Sequence, residues 1–191
     1  MSEYKFLPTL LRKYNYEPGF DLKPFKEFLE RTGIQGNYET DGGITTAGMG
    51  ENPHEWDSLI PFLNWLQPKI EIALNEWQIN WSQYFITKSW VNSHPRGGST
   101  RTHDHGSTHL VVSTYIKQPE NGGNVEIENF MRREWMAYMR KDEPGNIHDY
   151  YSEVPLKQND VLIFPGWLSH RAQPSKSDDE RLVFTLNYFA Q

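Results

Sequence analysis

The chain has 191 residues, which most often form one domain, and its 7 Trp, 10 Tyr and 10 Phe supply large side chains for a core. Acidic residues outnumber basic ones by 25 to 19, the formal charge is -6, and no Lys/Arg-rich run occurs, so we expect no nucleic-acid partner. Without cysteine, disulfides are excluded and a metal site must use His, Asp or Glu. With no long apolar run, we expect a cytoplasmic protein that has no membrane partner.

Residues 21–33 predict a short amphipathic helix. An Asp that can cap the helix and an early Pro are followed by apolar residues at helical spacing and a terminal Gly. The apolar residues are Phe25, Phe28 and Leu29. Residues 35–53 are rich in Gly and polar residues without a sustained period, which is typical of a loop or an irregular hairpin.

A second helix is predicted before residue 80. Pro61 is compatible with its first turn, and Pro68 predicts a kink. Its apolar stripe consists of Leu59, Phe62, Leu63, Leu66, Ile70, Ala73, Leu74 and Trp77. We expect the two helices to form a front, residues 1–80, that supports the rest of the chain.

From residue 81 onward the pattern changes to short strands separated by turn residues such as PRGGS, PENGG and KQND. Five segments are rich in β-branched and aromatic residues: SQYFITKSWVNS, HLVVSTYIK, NVEIENF, DVLIFP and RLVFTLNYF. This pattern is typical of a sandwich, a barrel or a jelly roll. We therefore predict one domain, residues 1–191, that is mainly β (α+β), with its core in residues 81–191 and the helices on an outer face.

His103 and His105 are the first part of a candidate metal site. Residues i and i+2 of a strand point to the same side, so both rings can converge while Asp104 points away. A third ligand is His170, which follows the apolar strand DVLIFP at a Gly-Trp turn. Three imidazoles leave three open positions on an octahedral metal, as oxygen activation needs, so we predict an iron oxygenase. The alternative is that these histidines are surface or hydrogen-bonded core residues.

Arg181 strengthens this prediction because it begins a strand with a polar face. Alternation places on one side Arg181, Val183, Thr185 and Asn187. A guanidinium, a hydroxyl and an amide on an apolar strand are costly unless a polar group lies opposite them, and a bidentate carboxylate would satisfy the arginine. The alternative is an exposed edge strand with Arg181 paired to an acidic residue at 178–180.

Taken in order, three runs resemble the core of the 2-oxoglutarate and iron(II)-dependent oxygenases: THDHGSTHLVVSTYI, VLIFPGWLSHRAQP and ERLVFTLNYF. The resemblance covers about residues 84–190 and is greatest to a bacterial and phage group with the pattern HxH, a hydrophobic strand ending in Tyr, FPxxLxH and a late Arg. It implies a double-stranded β-helix, or jelly roll, with supporting helices. It also implies Fe(II), 2-oxoglutarate as co-substrate, and hydroxylation of a small-molecule or peptide substrate with dioxygen.

The resemblance also implies roles for single residues. His103 and His170 match two iron ligands, and Arg181 matches the residue that binds the distal carboxylate of 2-oxoglutarate. Relatives place Asp or Glu where this chain has His105, so a centre held by three histidines would be one unit more positive. Asp104 is the second choice for this ligand.

Further residues are assigned to the cavity on the same basis. Asn92, just before the loop that leads to the HxH pair, is expected to contact the co-substrate. Thr114 falls where related hydroxylases place a Tyr that supports the distal carboxylate, and Thr185 where relatives often carry a hydroxyl. Candidate substrate contacts are Trp90, His109 and Trp167. His109 is also the third choice of metal ligand, although its position is more typical of a packing residue. The two tryptophans are equally compatible with core or rim positions. Exposed loop positions are expected for His54, His94 and His148.

Two other functions fit the same residues. One is a cupin-like three-histidine metalloenzyme that does not use 2-oxoglutarate and whose Arg181 binds the carboxylate of the substrate. The other is a non-catalytic jelly-roll binding module in which the histidines hold a structural metal or none. The residues do not identify the substrate, and a homodimer formed through the N-terminal helices is compatible with them.

Overall fold

A computed structural model describes residues 11–36, 40–129 and 150–191. In these ranges the helices are α1 (Lys23–Thr32) and α2 (Ile60–Glu76), and α2 is preceded by two short 3₁₀ turns. The strands are β1 (Arg12–Asn15), β2 (Ile34–Gln35), β3 (Thr40–Asp41), β4 (Ile44–Thr45), β5 (Tyr84–His94), β6 (Ser99–His103), β7 (Leu110–Lys117), β8 (Val125–Glu128), β9 (Tyr151–Val154), β10 (Asp160–Pro165), β11 (His170–Ala172) and β12 (Arg181–Ala190).

Two antiparallel sheets make up the β structure. The larger sheet has the order β1-β10-β7-β12-β5-β4-β2, and the smaller has the order β3-β6-β11-β8-β9. Side chains from both sheets pack together, as Val111 and Val183 of the larger sheet do with Val125 of the smaller. The prediction of a mainly β fold with a jelly-roll core and supporting helices is confirmed.

The central strands β10, β7 and β12 of the larger sheet are buried on both faces, and the alternation along β12 shows how. Leu182, Phe184 and Leu186 belong to the core that the sheet forms with α1 and α2, whereas Val183 belongs to the core between the sheets. The predicted two-faced pattern of this strand is therefore correct. Because the helices pack on one face and the smaller sheet on the other, polar groups such as Ser113 and Thr185 are enclosed between the two sheets.

The front of the chain contributes more than helices. Both predicted apolar stripes are buried, with Phe25 and Phe28 of α1 and Phe62 of α2 almost inaccessible. Asp21 accepts a hydrogen bond from the Lys23 N–H at 3.0 Å, but the cap position is occupied by Leu22, which makes no side-chain capping hydrogen bond. Helix α2 continues past Pro68.

Short strands of the front complete both sheets. β1 pairs with β10, β3 pairs with β6, and β2 and β4 form a hairpin that extends the sheet from β5. Of the two alternatives predicted for residues 35–53, a loop or an irregular hairpin, the described residues agree with the hairpin. None of the helices in the described ranges is long and apolar enough to cross a bilayer.

Phe62 provides a test of the helix–sheet core. Its ring contacts Tyr16, Phe20 and Phe184, with centroids 5.2, 5.0 and 6.3 Å away. We expect Phe62→Ala to lower the free energy of unfolding by about 3–5 kcal/mol, because it removes a fully buried ring and leaves a cavity. Ile72→Ala is the control, since Ile72 is 46% exposed on the same helix. Urea denaturation measures both, and similar losses would contradict this packing.

Candidate metal centre and cofactor cavity

Three histidine rings converge at one end of the space between the sheets. His103, the last residue of β6, is in register with His170, the first residue of β11. Their ring centroids are 4.4 Å apart, and each lies 5.3 Å from that of His105. One ring nitrogen from each histidine lies within 4.8 Å of the other two. The structure therefore brings together the three predicted ligands.

The second nitrogen of each ring already has a partner. The Nδ1 atom of His103 lies 2.8 Å from the carbonyl oxygen of Arg101, and that of His170 lies 2.8 Å from the carbonyl oxygen of Leu168. The Nδ1 atom of His105 lies 2.8 Å from Oδ1 of Asn187. A carbonyl oxygen can only accept, so Nδ1 carries the proton and the lone pair is on Nε2. This is the arrangement of metal-bound histidines, whose other N–H is held by an outer partner.

The protonation of the rings also suits a cation. Burial, followed by the neighbouring His103, lowers the pKa of His105 to about 4. Burial lowers the pKa of His170 well below its ordinary value, and the other two histidines contribute. Both rings are therefore neutral at physiological pH, as ligands must be. The Nε2 atom of His105 is buried and has no hydrogen-bond partner within the described residues. A set of three imidazoles fits a divalent transition metal such as iron(II).

The backbone around His105 differs from the strand that the sequence predicts. β6 ends at His103, so His105 does not belong to a strand. Instead, Asp104 accepts a hydrogen bond from the Gly106 N–H at 2.9 Å, and the His105 N–H donates to the Gly166 carbonyl oxygen at 2.8 Å. Asp104 is exposed, as expected for a residue that turns away. A Cβ on Gly166 would overlap the Thr108 carbonyl group, so glycine allows the two loops to meet.

Arg181 lies fully buried at the start of β12. Its Nη1 donates to the carbonyl oxygens of Gly122 and Gln173, at 2.7 and 3.1 Å. Its Nε and Nη2 are also buried and have no hydrogen-bond partner among the residues described. The alternative of a surface pair with residues 178–180 is excluded by this burial. Burial lowers the pKa of the guanidinium, so the charged form is held at a cost. The edge formed by Nε and Nη2 is suited to a bidentate carboxylate.

A cavity between the sheets reaches the three histidines, and Arg181 is in register with His94, one of the residues that line it. The lining residues are Trp90, Asn92, His94, Thr100, His103, His105, Ser113, Tyr115, Val125, His170, Ala172, Val183 and Thr185. Arg181 lies on the same face of β12 as Val183 and Thr185, and so toward this space. Among the residues described, no acidic side chain lines the cavity. The arrangement can receive an anion between the three imidazoles and the arginine.

Three of the other predicted residues lie in the cavity. Asn92 and Thr185 line it from neighbouring strands, and the buried Asn92 Oδ1 has no partner in the described part of the chain. Trp90 lies beside His105, with centroids 5.7 Å apart and ring planes 24° from parallel. Their positions agree with the sequence analysis, and their roles stay predictions.

Thr114 does not face the cavity, so the role predicted for it is wrong. Thr114 pairs with Val161 and Phe184, which belong to the core beneath the helices. Its two neighbours on β7, Ser113 and Tyr115, line the cavity instead. The reason is the two-residue period of a strand, in which an error of one position exchanges the faces.

His109 and Trp167 are not brought to the cavity either. The His109 Nδ1 accepts a hydrogen bond from the Ala190 N–H at 3.0 Å, and its ring packs on Phe189 with centroids 4.5 Å apart. Trp167 is 51% exposed. The packing role considered for His109 is confirmed, whereas contact of either residue with a substrate in this cavity is not supported.

His94 is a cavity residue that the sequence analysis missed. It was expected to be exposed, but it is 1% exposed, and its Nε2 lies 2.8 Å from Thr100 Oγ1. It is in register with Arg181, whose charge adds to burial in lowering the pKa of His94. Alternation with Trp90 and Asn92 along one strand was the signal that could have identified it.

The remaining two histidines lie elsewhere. His54 is partly buried rather than exposed, with its Nδ1 2.8 Å from Ser89 Oγ. His148 lies outside the described residues.

The metal centre opens to solvent through a groove of about 700 Å³. Residues 47–52 form one wall of the groove, and Lys88, Asp104 and Asn187 contribute to the rest. His103 and His105 reach both the groove and the inner cavity. A substrate in the groove would thus lie against the outer side of the histidines.

Comparison with known families gives one match in sequence. The family described as "putative 2OG-Fe(II) oxygenase", where 2OG is 2-oxoglutarate, matches residues 88–187. These residues include all three histidines and Arg181. No curated protein sequence matches the chain.

Solved structures share the fold at low sequence identity. The viral collagen prolyl hydroxylase of Paramecium bursaria Chlorella virus-1, in complex with 2-oxoglutarate, has 18% identity and a TM-score of 0.54, covering 95% of this chain and 96% of its own. HygX of Streptomyces hygroscopicus, with nickel, 2-oxoglutarate and hygromycin B bound, has 12% identity and a TM-score of 0.59, covering 96% and 84%. A prolyl hydroxylase of Trichoplax adhaerens, in complex with a hypoxia inducible factor peptide fragment, has 13% identity and a TM-score of 0.60, covering 94% and 83%.

Metal binding by the three histidines can be tested through stability. We expect anaerobic iron(II) to stabilise the native protein by about 2.7 kcal/mol when supplied at about 100 times its Kd. His103→Ala should lose most of this gain because only two ligands remain. His54→Ala is the matched control, since His54 lies outside the centre and should leave the gain intact. Thermal unfolding with and without metal measures the effect, and equal gains in all three proteins would argue against this centre.

Proposed function

The chain belongs to the "putative 2OG-Fe(II) oxygenase" family, and from this premise we propose that it is a hydroxylase that depends on iron(II) and 2-oxoglutarate. His103, His105 and His170 hold the iron, and Arg181 holds the distal carboxylate of the co-substrate. The overall reaction consumes 2-oxoglutarate, dioxygen and a substrate C–H bond, and yields succinate, carbon dioxide and a C–OH group. The 2-oxoglutarate supplies the two electrons that the dioxygen needs beyond those of the substrate.

One observation carries this proposal. A fully buried guanidinium keeps two nitrogens without a partner among the described residues, on a strand whose same face leads to the three histidines. A buried charge without its counterion is strongly destabilising. The cavity therefore requires an anion, and a dicarboxylic acid can bind to the arginine at one end and reach the metal at the other.

Other side chains of the cavity prepare it for the co-substrate. Burial raises the pKa of Tyr115 to about 12, so its phenol keeps its proton and can donate a hydrogen bond. Thr185 and His94 add polar atoms, and Val125 and Val183 add apolar walls. In a space enclosed by protein each charge-assisted hydrogen bond is stronger than in solvent.

Bound iron(II) supplies the activation of dioxygen, which couples decarboxylation of 2-oxoglutarate to oxidation of the substrate. The chain contributes three neutral ligands, holds their protons on Nδ1, and aligns the co-substrate. The solvent-facing groove beside His103 and His105 receives the substrate. We propose a peptide or a small molecule, because complexes of similar folds contain both kinds.

Succinate formation tests the activity directly. The purified protein with iron(II), ascorbate and 2-oxoglutarate should release succinate, faster when the substrate is present. Metal uptake without any response to 2-oxoglutarate would favour the cupin-like alternative.

Replacing Arg181 should separate co-substrate binding from metal binding. Arg181→Lys keeps the charge but loses the planar pair of donors. We expect 2-oxoglutarate affinity to fall by roughly 10- to 100-fold, which corresponds to about 1.5–3 kcal/mol, while iron(II) affinity stays unchanged. Arg171→Lys is the control, because Arg171 pairs with Glu126 on a neighbouring strand. Titration of the metal-loaded proteins measures both affinities, and unaltered 2-oxoglutarate binding by Arg181→Lys would refute the assigned role.

Adjacent residues of β7 provide a second test. We expect Tyr115→Phe to weaken 2-oxoglutarate binding by roughly 2- to 10-fold through loss of one hydrogen-bond donor. Thr114→Val removes a hydroxyl from the opposite face and should not change this affinity. The same titration compares the two variants. A larger effect at Thr114 would mean that β7 presents the other face to the co-substrate.

A further inference from the structure

The three histidines of the centre are not held alike. His103 and His170 each bond through Nδ1 to the main-chain carbonyl two residues earlier, at Arg101 and Leu168. These partners are present whatever side chain occupies those positions. His105 instead bonds to the side chain of Asn187, which lies on β12 of the other sheet. Its orientation therefore depends on a residue that a mutation can remove.

The position of Asn187 is well defined. It is in register with Lys88 of β5, immediately before a shift in the pairing of the two strands. Its own carbonyl oxygen accepts a hydrogen bond from the Thr87 hydroxyl at 3.2 Å. Asn187 is partly buried and lines the groove at the metal centre. The backbone thus holds the amide at a fixed point beside the His105 ring.

Two contacts then determine how the His105 ring lies. Trp90 packs against one face of the ring, with planes 24° from parallel. Asn187 Oδ1 accepts from Nδ1 at its edge. Together they leave Nε2 buried and directed at the other two histidines.

We propose that Asn187 is a positioning residue that selects the Nδ1–H tautomer of His105 and so sets the metal affinity of the centre. The inference rests on the proposed metal centre. If Oδ1 is not available, the proton can move to Nε2, and the lone pair then points away from the metal. An amide is also neutral, so it polarises the ring less than the carboxylate that often holds a metal-bound histidine. Position 187 therefore tunes the one ligand that replaces the acidic residue expected in relatives.

Two substitutions separate the possible roles of the amide. Asn187→Leu keeps the approximate size but removes the acceptor. Asn187→Asp keeps an acceptor and adds a negative charge. The control is Asn75→Leu, because the exposed Asn75, in the last turn of α2, also accepts from a ring N–H, that of Trp81 at 3.1 Å, and lines neither the cavity nor the groove.

The first measurement needs no metal. Side-chain ¹⁵N NMR of the metal-free protein at neutral pH reports which nitrogen of His105 is protonated. We expect Nδ1–H in the native protein, in Asn187→Asp and in Asn75→Leu, and a substantial Nε2–H population in Asn187→Leu. Predominant Nε2–H in the native protein would overturn the inference, whether or not the centre binds metal.

The second measurement is cobalt(II) affinity, followed by the visible absorption of the bound ion. We expect Asn187→Leu to bind cobalt(II) about 10- to 100-fold more weakly than the native protein, and Asn187→Asp to bind at least as tightly. Asn75→Leu should be unchanged, and circular dichroism establishes that each variant is folded. Native-like affinity of Asn187→Leu would overturn the inference, as would equal weakening by Leu and Asp. Failure of the native protein to bind cobalt(II) would instead refute the proposed metal centre, because the NMR result tests Asn187 separately.

Discussion

The pairing of β6 with β11 is the constraint on which the whole site depends. It places His103, at the end of β6, directly opposite His170, at the start of β11, and both residues line the cavity between the sheets. A slip of one residue would turn one of the rings to the outer face. His105 then completes the set through a turn that is held by the Gly166 carbonyl group. Three short pieces of backbone thus bring the ligands together, and the side chain of Asn187 adds the contact that orients His105.

The electrostatic character of the cavity is opposite to that of the whole molecule. The chain carries a formal charge of -6, yet in the described residues the space between the sheets is lined by neutral imidazoles, hydroxyls and amides, with Arg181 beside it. Burial of this arginine is costly, and the carbonyl groups of Gly122 and Gln173 offset only part of that cost. A metal ion and an organic acid bound together would balance the remaining charge. This explains why such polar residues occupy a place that hydrophobic ones would otherwise fill.

Much of the fold was predictable because its signals are local. The apolar stripes of α1 and α2 and the alternation along β12 depend on residues that are close in sequence. β6, with the sequence STRTH, was expected only around the HxH pair and not over its full length, because it lacks apolar alternation. The resemblance indicated Thr114 rather than Tyr115, and because neighbouring residues of β7 face opposite sides, this error of one position exchanged the faces.

For the candidate site, too, some features were predictable from the sequence and others were not. The sequence by itself determined which chemical groups were available: an HxH pair, a later His, and an Arg on a strand with a polar face. Only the tertiary structure decided that Asn187 holds His105, that His94 is enclosed near Arg181, and that Tyr115 rather than Thr114 faces the cavity. The physical reason is that periodicity is a property of neighbouring residues, whereas strand register and the contact between two sheets arise from hydrogen bonds and packing between distant segments.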